Sequence, residues 1–182
     1  MTMNNTWGYK EFDNAWKSSE TLIRNLIKIA ARGGNYLLNI GPKPNGTFPE
    51  ESVRRLEEIG KWMKVNGEAV YGTKASPVET IPWGECTMKE DMNNTILYLS
   101  VFNWPKDGKL AIPGVKNKVV SARLLATGAK LTTIQAQGGT VIKVPEAAPD
   151  TIASVIKLKV KGKVGKTDVP TPKKKMQSGA LD

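Results

Sequence analysis

Gly33-Gly34-Asn35-Tyr36-Leu37-Leu38-Asn39-Ile40-Gly41-Pro42 is the stretch on which the reading of this chain turns. Tyr36–Ile40 is short and nearly continuously apolar, and such a run between two helices predicts a buried parallel strand. The preceding helix is expected over residues 18–32. Ser18 or Ser19 can cap it, and Glu20 lies where the helix dipole favours an anion. Leu22, Leu26, Ile29 and Ala30, widened by Ile23 and Ile27, form its apolar stripe, and Gly33-Gly34 supplies the stop. After the turn-rich loop Gly41–Thr47 a second helix is expected, with Thr47 and Glu50 spaced as a capping box and Pro49 in its first turn. Its stripe reads Val53, Leu56, Ile59 and Met63, its wet face Arg54, Arg55, Glu57, Glu58 and Lys61, and Asn66-Gly67 ends it. Helix, strand, helix is a piece of α/β architecture. One buried strand cannot close a sheet, so the stripes at 22–30 and 53–63 are expected to stay uncovered, leaving this half molten or prone to aggregate.

Beyond about Thr73 the pattern changes. Thr95–Trp104 is rich in strand formers, followed by the turn Pro105–Gly108. Further strands are expected at Lys109–Ile112, Lys118–Ala126, Leu131–Ala136, Thr140–Val144 and Ser154–Val160. In the last, Ile156, Leu158 and Val160 alternate with Lys157, Lys159 and Lys161, a period of two that buries one face and wets the other. Short strands at this spacing without helices predict an antiparallel β-sandwich. The fold class is therefore α/β plus all-β. Residues 1–75 read as the end of a larger α/β domain, 76–162 as a β-sandwich and 163–182 as a disordered tail rich in Lys and Pro.

Composition removes several kinds of chemistry. The 182 residues contain no His and one Cys, so no Ser-His-Asp or Cys-His pairing can form within the chain and no His-ligated zinc site exists. Carboxylates, Lys, Tyr and backbone donors are what remain. No run of about 18 apolar residues is present to span a bilayer, and Met1–Asn5 lacks the pattern of a secretory signal. The net charge is +10, but from Lys157 onward eight lysines face only Asp168 and Asp182, so six of those ten charges lie at the C-terminal end. No aromatic residue is interleaved there to stack on bases, which favours a solvated tail over a nucleic-acid contact.

Thr6-Trp7-Gly8-Tyr9-Lys10, the Gly33–Pro42 stretch, Gly46-Thr47 and Ile59-Gly60-Lys61-Trp62-Met63-Lys64-Val65-Asn66-Gly67-Glu68-Ala69-Val70-Tyr71-Gly72-Thr73 together resemble the C-terminal half of α-L-fucosidases of glycoside hydrolase family 29. The resemblance is strong over residues 1–75 and looser to about residue 160. It implies a (β/α)8-like catalytic domain followed by a β-sandwich, and hydrolysis of terminal α-L-fucose with retention of configuration. Retention needs two carboxyl groups about 5–5.5 Å apart. In the family the nucleophilic Asp and the acid/base Glu precede the segment that Met1 begins, so the resemblance assigns no catalytic residue here, and the chain alone is expected to be inactive. It implies no cofactor and no metal. The implied partner is a fucosylated glycan, engaged only with the upstream barrel portion, with neither nucleic acid nor membrane; the parent enzymes are secreted, periplasmic or lysosomal.

Three residues are candidates for touching substrate: Trp7, Tyr9 and Asn39. Trp7 and Tyr9 belong to the family motif, and an aromatic at a barrel rim can pack on the apolar face of a sugar or simply fill the core. Asn39 sits at the end of the expected strand, where an amide must find substrate hydroxyls or neighbouring backbone. Asn35 reads as turn support. Glu50-Glu51 and Glu57-Glu58 read as solvated charge, since adjacent helical residues do not face each other. Trp62 reads as a core or interface anchor, and Cys86 as a small apolar residue. Two alternatives stay open. One is a carbohydrate-binding β-sandwich with Trp83 and Trp104 as stacking platforms, and the other is a basic nucleic-acid-binding protein.

Overall fold

Ser18 opens the first helix as the sequence predicts. In the computed structural model, which describes residues 1–78 and 81–165, its hydroxyl accepts from the Thr21 N–H at 3.1 Å and α1 runs Ser19–Ala31. Gly33, at φ +74°, turns the chain out of the helix while its N–H and that of Gly34 cap the carbonyls of Ala30 and Ile29. Leu22, Ile23, Ile27 and Ala31 are buried. The helix α2 spans Glu50–Asn66 and leads into a 3-10 turn, Gly67–Ala69.

The expected start and stripe of α2 are both corrected. Pro49 is the N-cap and makes no side-chain cap bond. Thr47 is engaged elsewhere: its N–H and hydroxyl both reach Asn45 Oδ1, at 3.1 and 2.8 Å, so a local Asx turn replaces the capping box. The buried face is Ser52, Arg55, Trp62 and Asn66, while Val53 and Leu56 remain 41% and 37% exposed. Arg55, read as wet, is buried because its guanidinium finds the Lys17 carbonyl at 2.6 Å, the Glu51 carbonyl at 2.9 Å, the Glu51 carboxylate and the Trp16 ring. A cation with this many acceptors can occupy a position that hydrophobicity alone assigns to Leu56.

Seven strands follow: β1 Gly84–Asp91, β2 Asn94–Val101, β3 Lys109–Pro113, β4 Val119–Leu124, β5 Thr132–Ala136, β6 Gly139–Lys143 and β7 Ser154–Lys161. They form two antiparallel sheets, one ordered β1-β2-β7-β4 and the other β3-β6-β5. Leu97, Leu99, Ile156, Leu158 and Val160 of the first sheet pack on Leu110, Ile112 and Ile142 of the second, which makes a β-sandwich. β1 escaped the sequence reading because half of its eight residues are charged (Glu85, Lys89, Glu90, Asp91). It is an edge strand, where such charge is tolerated, and its core-facing Cys86 and Met88 are the only apolar alternation it offers.

The outer face of the first sheet is not left to water. Ile23, Ile27 and Trp62 of the helices bury Tyr98 and Val155 against it, with Ile96 and Phe102 beside them. Leu22, Ile23 and Ile27 are therefore covered, contrary to the expectation of an uncovered stripe, while Leu26, Ile29 and Ala30 of that stripe stay half-buried. Lys157 and Lys159, read as wetted, are instead partly covered and ion-paired, Lys157 to Glu68 of the 3-10 turn at 2.5 Å and Lys159 to Asp91 at the end of β1 at 2.6 Å. Directional bonds fix the docking: Arg24 donates to the carbonyls of Ile152 and Phe102 at 3.0 and 3.1 Å, Trp62 Nε1 to Ala153 O at 3.0 Å, and Thr87 Oγ1 to Ala69 O at 2.6 Å.

The Tyr36–Ile40 run differs most from expectation. It is extended but forms no strand, keeping one parallel bridge between Asn39 and Thr2, with Leu37 71% exposed. A parallel strand draws its order from neighbours on both sides, and among the described residues only the first few lie beside it. The Met1 ammonium donates to Leu37 O and Asn39 N to Met1 O, both at 2.9 Å. The tail assigned to 163–182 lies outside the described residues from 166 onward. Its first residues are tied down, since Asn117 donates to Lys163 O at 3.1 Å and Val164 packs on the core.

Two outcomes are expected. Ile23→Ala, at a site with no exposure, should lower the stability of the whole chain by about 2–5 kcal/mol in urea unfolding, whereas Leu56→Ala should cost about 0.5 kcal/mol or less. A molten helical layer would instead make both silent. Glu68 supplies the second. Burial alone would raise its carboxyl, but Lys157 and the Tyr98 hydroxyl outweigh burial and hold it below the ordinary 4.5. Its contribution is complete above about pH 4.5 and is lost as pH falls through the lower folded value. The urea midpoint should therefore fall on acidification, and Glu68→Gln should remove part of that slope.

Candidate functional site

The structure brings Trp7, Tyr9 and Asn39 to one place. The parallel bridge sets Asn39 beside the N-terminal segment, and its side-chain Nδ2 donates to Trp7 O at 2.5 Å. The amide has thus found backbone. Gly41 passes so close behind Tyr9 that a Cβ there would sit 2.5 Å from Tyr9 N, so only glycine permits the approach. Between Gly8, Tyr9, Trp16, Asn39 and Gly41 the remaining cavity is about 10 Å³, room for one water at most. The Trp7 side chain projects outward, 62% exposed.

Asp13, which the sequence reading passed over, organises this segment from the other side. Its Oδ2 accepts from Asn5 N at 3.0 Å, Thr6 N at 2.8 Å and Thr6 Oγ1 at 2.8 Å, and its Oδ1 from Ala15 N at 3.3 Å. No spacing rule marks it, because its donors are mostly main-chain N–H groups, which no residue type advertises. The Thr6 hydroxyl is the largest influence on its acidity. Aided by the N–H groups of Thr6, Ala15 and Asn5 against the opposing effect of burial, it holds the carboxyl below the usual carboxylate range.

Two carboxylates elsewhere behave alike. Arg54 and Arg55 hold Glu51 low, and Lys74 holds Glu90 low. A glycosidase's general acid needs the opposite displacement, a raised value that keeps it protonated. Glu58, like Glu51, bonds Arg54, so one glutamate of each adjacent pair serves a helix-surface ion pair. The described residues contain no group of three or more His, Cys, Asp or Glu that could hold a metal ion. No described helix is long and apolar enough to cross a membrane.

The remaining candidates are placed structurally. Trp83 is buried in the sandwich with its Nε1 donating to Ala111 O at 3.0 Å, and Trp104 packs on the same core and donates to Pro145 O at 2.9 Å. Trp83 therefore has no free face for stacking a sugar, and Trp104 is half-buried with its Nε1 engaged. Trp62 anchors α2 on the sheet, and Asn35 is exposed beside the helix stop. Cys86 is buried, and burial pushes its thiol up to about 12, so it is a packing residue rather than a nucleophile.

Comparison with known proteins fits this arrangement. The family model for Alpha-L-fucosidase matches residues 1–68. The α-L-fucosidase of Dictyostelium discoideum is 32% identical over 157 residues, covering 81% of this chain and 34% of the relative. The human plasma α-L-fucosidase is 31% identical over 151 residues, covering 78% and 32%. Among solved structures, a glycoside hydrolase family 29 α-L-fucosidase of Bacteroides thetaiotaomicron, captured as a trapped covalent intermediate with 2-fluoro-fucosyl fluoride, superposes with a TM-score of 0.80. It is 31% identical, and the match covers 89% of this chain and 37% of that one. The chain spans about a third of the length of the curated relatives it matches. Sequence motifs, sandwich and matches agree, and the chain belongs to the α-L-fucosidase family, glycoside hydrolase family 29, corresponding to its C-terminal portion.

Proposed function

We propose that this chain serves as the C-terminal portion of a retaining α-L-fucosidase that releases terminal α-L-fucose from glycoconjugates. In this reading residues 1–75 complete a (β/α)8-like catalytic domain, and 76–162 form the sandwich that supports it. The observation that carries it is the Tyr36–Ile40 run, extended, bridged on one side only and with Leu37 in solvent. Such a run is built to take a second parallel neighbour, and its C-terminal end is where a barrel of this kind gathers its site. Phe12, Leu37, Phe48 and Val53, all at least 41% exposed, supply the apolar surface that the rest of the domain would cover.

The role of each candidate follows from its placement. Trp7 offers an exposed indole for the apolar face and methyl group of a fucosyl ring. Tyr9 and Asn39 hold the backbone that carries it. The nucleophile and the acid/base belong to the upstream portion, in line with Asp13, Glu51, Glu58, Glu68 and Glu90 here, which are ion-paired or held by several donors. The substrate class is fucosylated glycans.

The purified chain should not hydrolyse 4-nitrophenyl α-L-fucoside, and measurable turnover would sink this reading. Installed in place of the matching portion of the Bacteroides thetaiotaomicron relative, the chain should give an active chimera. In that chimera Trp7→Ala should lower kcat/KM by roughly 10-fold or more, about 1.4 kcal/mol of transition-state binding.

A further inference from the structure

The backbone of Thr6–Tyr9 is gripped on three sides. Asp13 gathers the N–H groups of Asn5 and Thr6 and the Thr6 hydroxyl on Oδ2, at 2.8–3.0 Å. Asn39 holds the Trp7 carbonyl at 2.5 Å. Gly41 backs Tyr9 so closely that a Cβ would sit 2.5 Å from its nitrogen. Inside the segment the Thr6 hydroxyl also lies 3.0 Å from Gly8 O. This much order does not serve to bury Trp7, whose side chain stands 62% in solvent.

Asp13 itself is only 7% exposed, and its recorded partners are all neutral donors from its own loop. A carboxylate in that position does one thing well. It draws successive N–H groups to a point and so fixes the path of the chain. An aromatic that must meet a ligand from the surface gains most from such support, because its direction is set before the ligand arrives.

We propose that Asp13 is a positioning residue for the fucosyl site: its buried carboxylate, clamped to Asn5 and Thr6, sets the direction in which Trp7 is presented. The proposal rests on the reading that Trp7 faces the sugar, yet the clamp can be tested apart from it. In the full chain, the 15N order parameter of the Trp7 amide should be about 0.85, as for rigid backbone, and should fall below about 0.6 in Asp13→Ala. The amides of Tyr98 and Leu158 should not change, which shows the sandwich intact. Thr6→Val, which removes only the hydroxyl, should loosen Trp7 partway, and Thr6→Ser should restore it. An Asp13→Ala chain in which Trp7 stays rigid overturns the clamp.

The chimera separates the clamp from the ligand. Asp13→Ala should lower kcat/KM about as far as Trp7→Ala, and the double variant no further, since both act through one side chain. Fully additive losses would overturn the positioning role. If Asp13→Ala frees the amide but Trp7→Ala leaves kcat/KM unchanged, Trp7 does not meet the sugar, the reading of the site fails, and the clamp survives as a loop device.

Discussion

The sheet β1-β2-β7-β4 carries apolar side chains on both faces, and the rest of the molecule is arranged around that fact. On one face Leu97, Leu99, Ile156 and Leu158 meet the second sheet; on the other Tyr98 and Val155 need a cover. An antiparallel sheet in a two-layer sandwich normally keeps one face wet. Here α1 and α2 supply a third layer, and the polar groups caught beneath it are matched rather than excluded. Glu68 is the clearest case, holding the Tyr98 hydroxyl at 2.7 Å and the Lys157 ammonium at 2.5 Å from one oxygen. The helices that the family motifs belong to are thus fastened to the sandwich.

Much of this was legible in the sequence. The alternation of β7, the apolar β2 and the Ser18 cap each announce themselves, because they depend on neighbours within one element. What failed depends on partners elsewhere. The buried side of α2 is rotated away from Val53 and Leu56 because a guanidinium with distant acceptors could be buried in their place. The turn between β1 and β2 places Met92 at φ +50°, where an Asn-Gly or Asp-Gly pair would have flagged a hairpin. Lysines 157 and 159 looked wet because their acids come from the 3-10 turn and from the end of β1.

The site shows the same division. Trp7, Tyr9 and Asn39 could be named from motifs, but their mutual arrangement could not, since it hangs on an Asn39 amide bond to main chain and on the one glycine that lets two backbones touch. Asp13 was invisible for the same reason. Hydrogen bonds to main chain leave no trace in residue identity, so second-layer residues are the part of a site that a sequence conceals best.

The single bridge between Thr2 and Asn39 also sets an order of events. Its residues lie on either side of α1, so pairing them closes a long loop and returns only a few hydrogen bonds. The sandwich and its helical cover have far more to gain from early contact. The bridge and the segment carrying Trp7 should therefore assemble last and open first, at the low end of the local stabilities of the molecule. A candidate site held in this way is rigid while the bridge is closed and is still the first part of the chain to come undone.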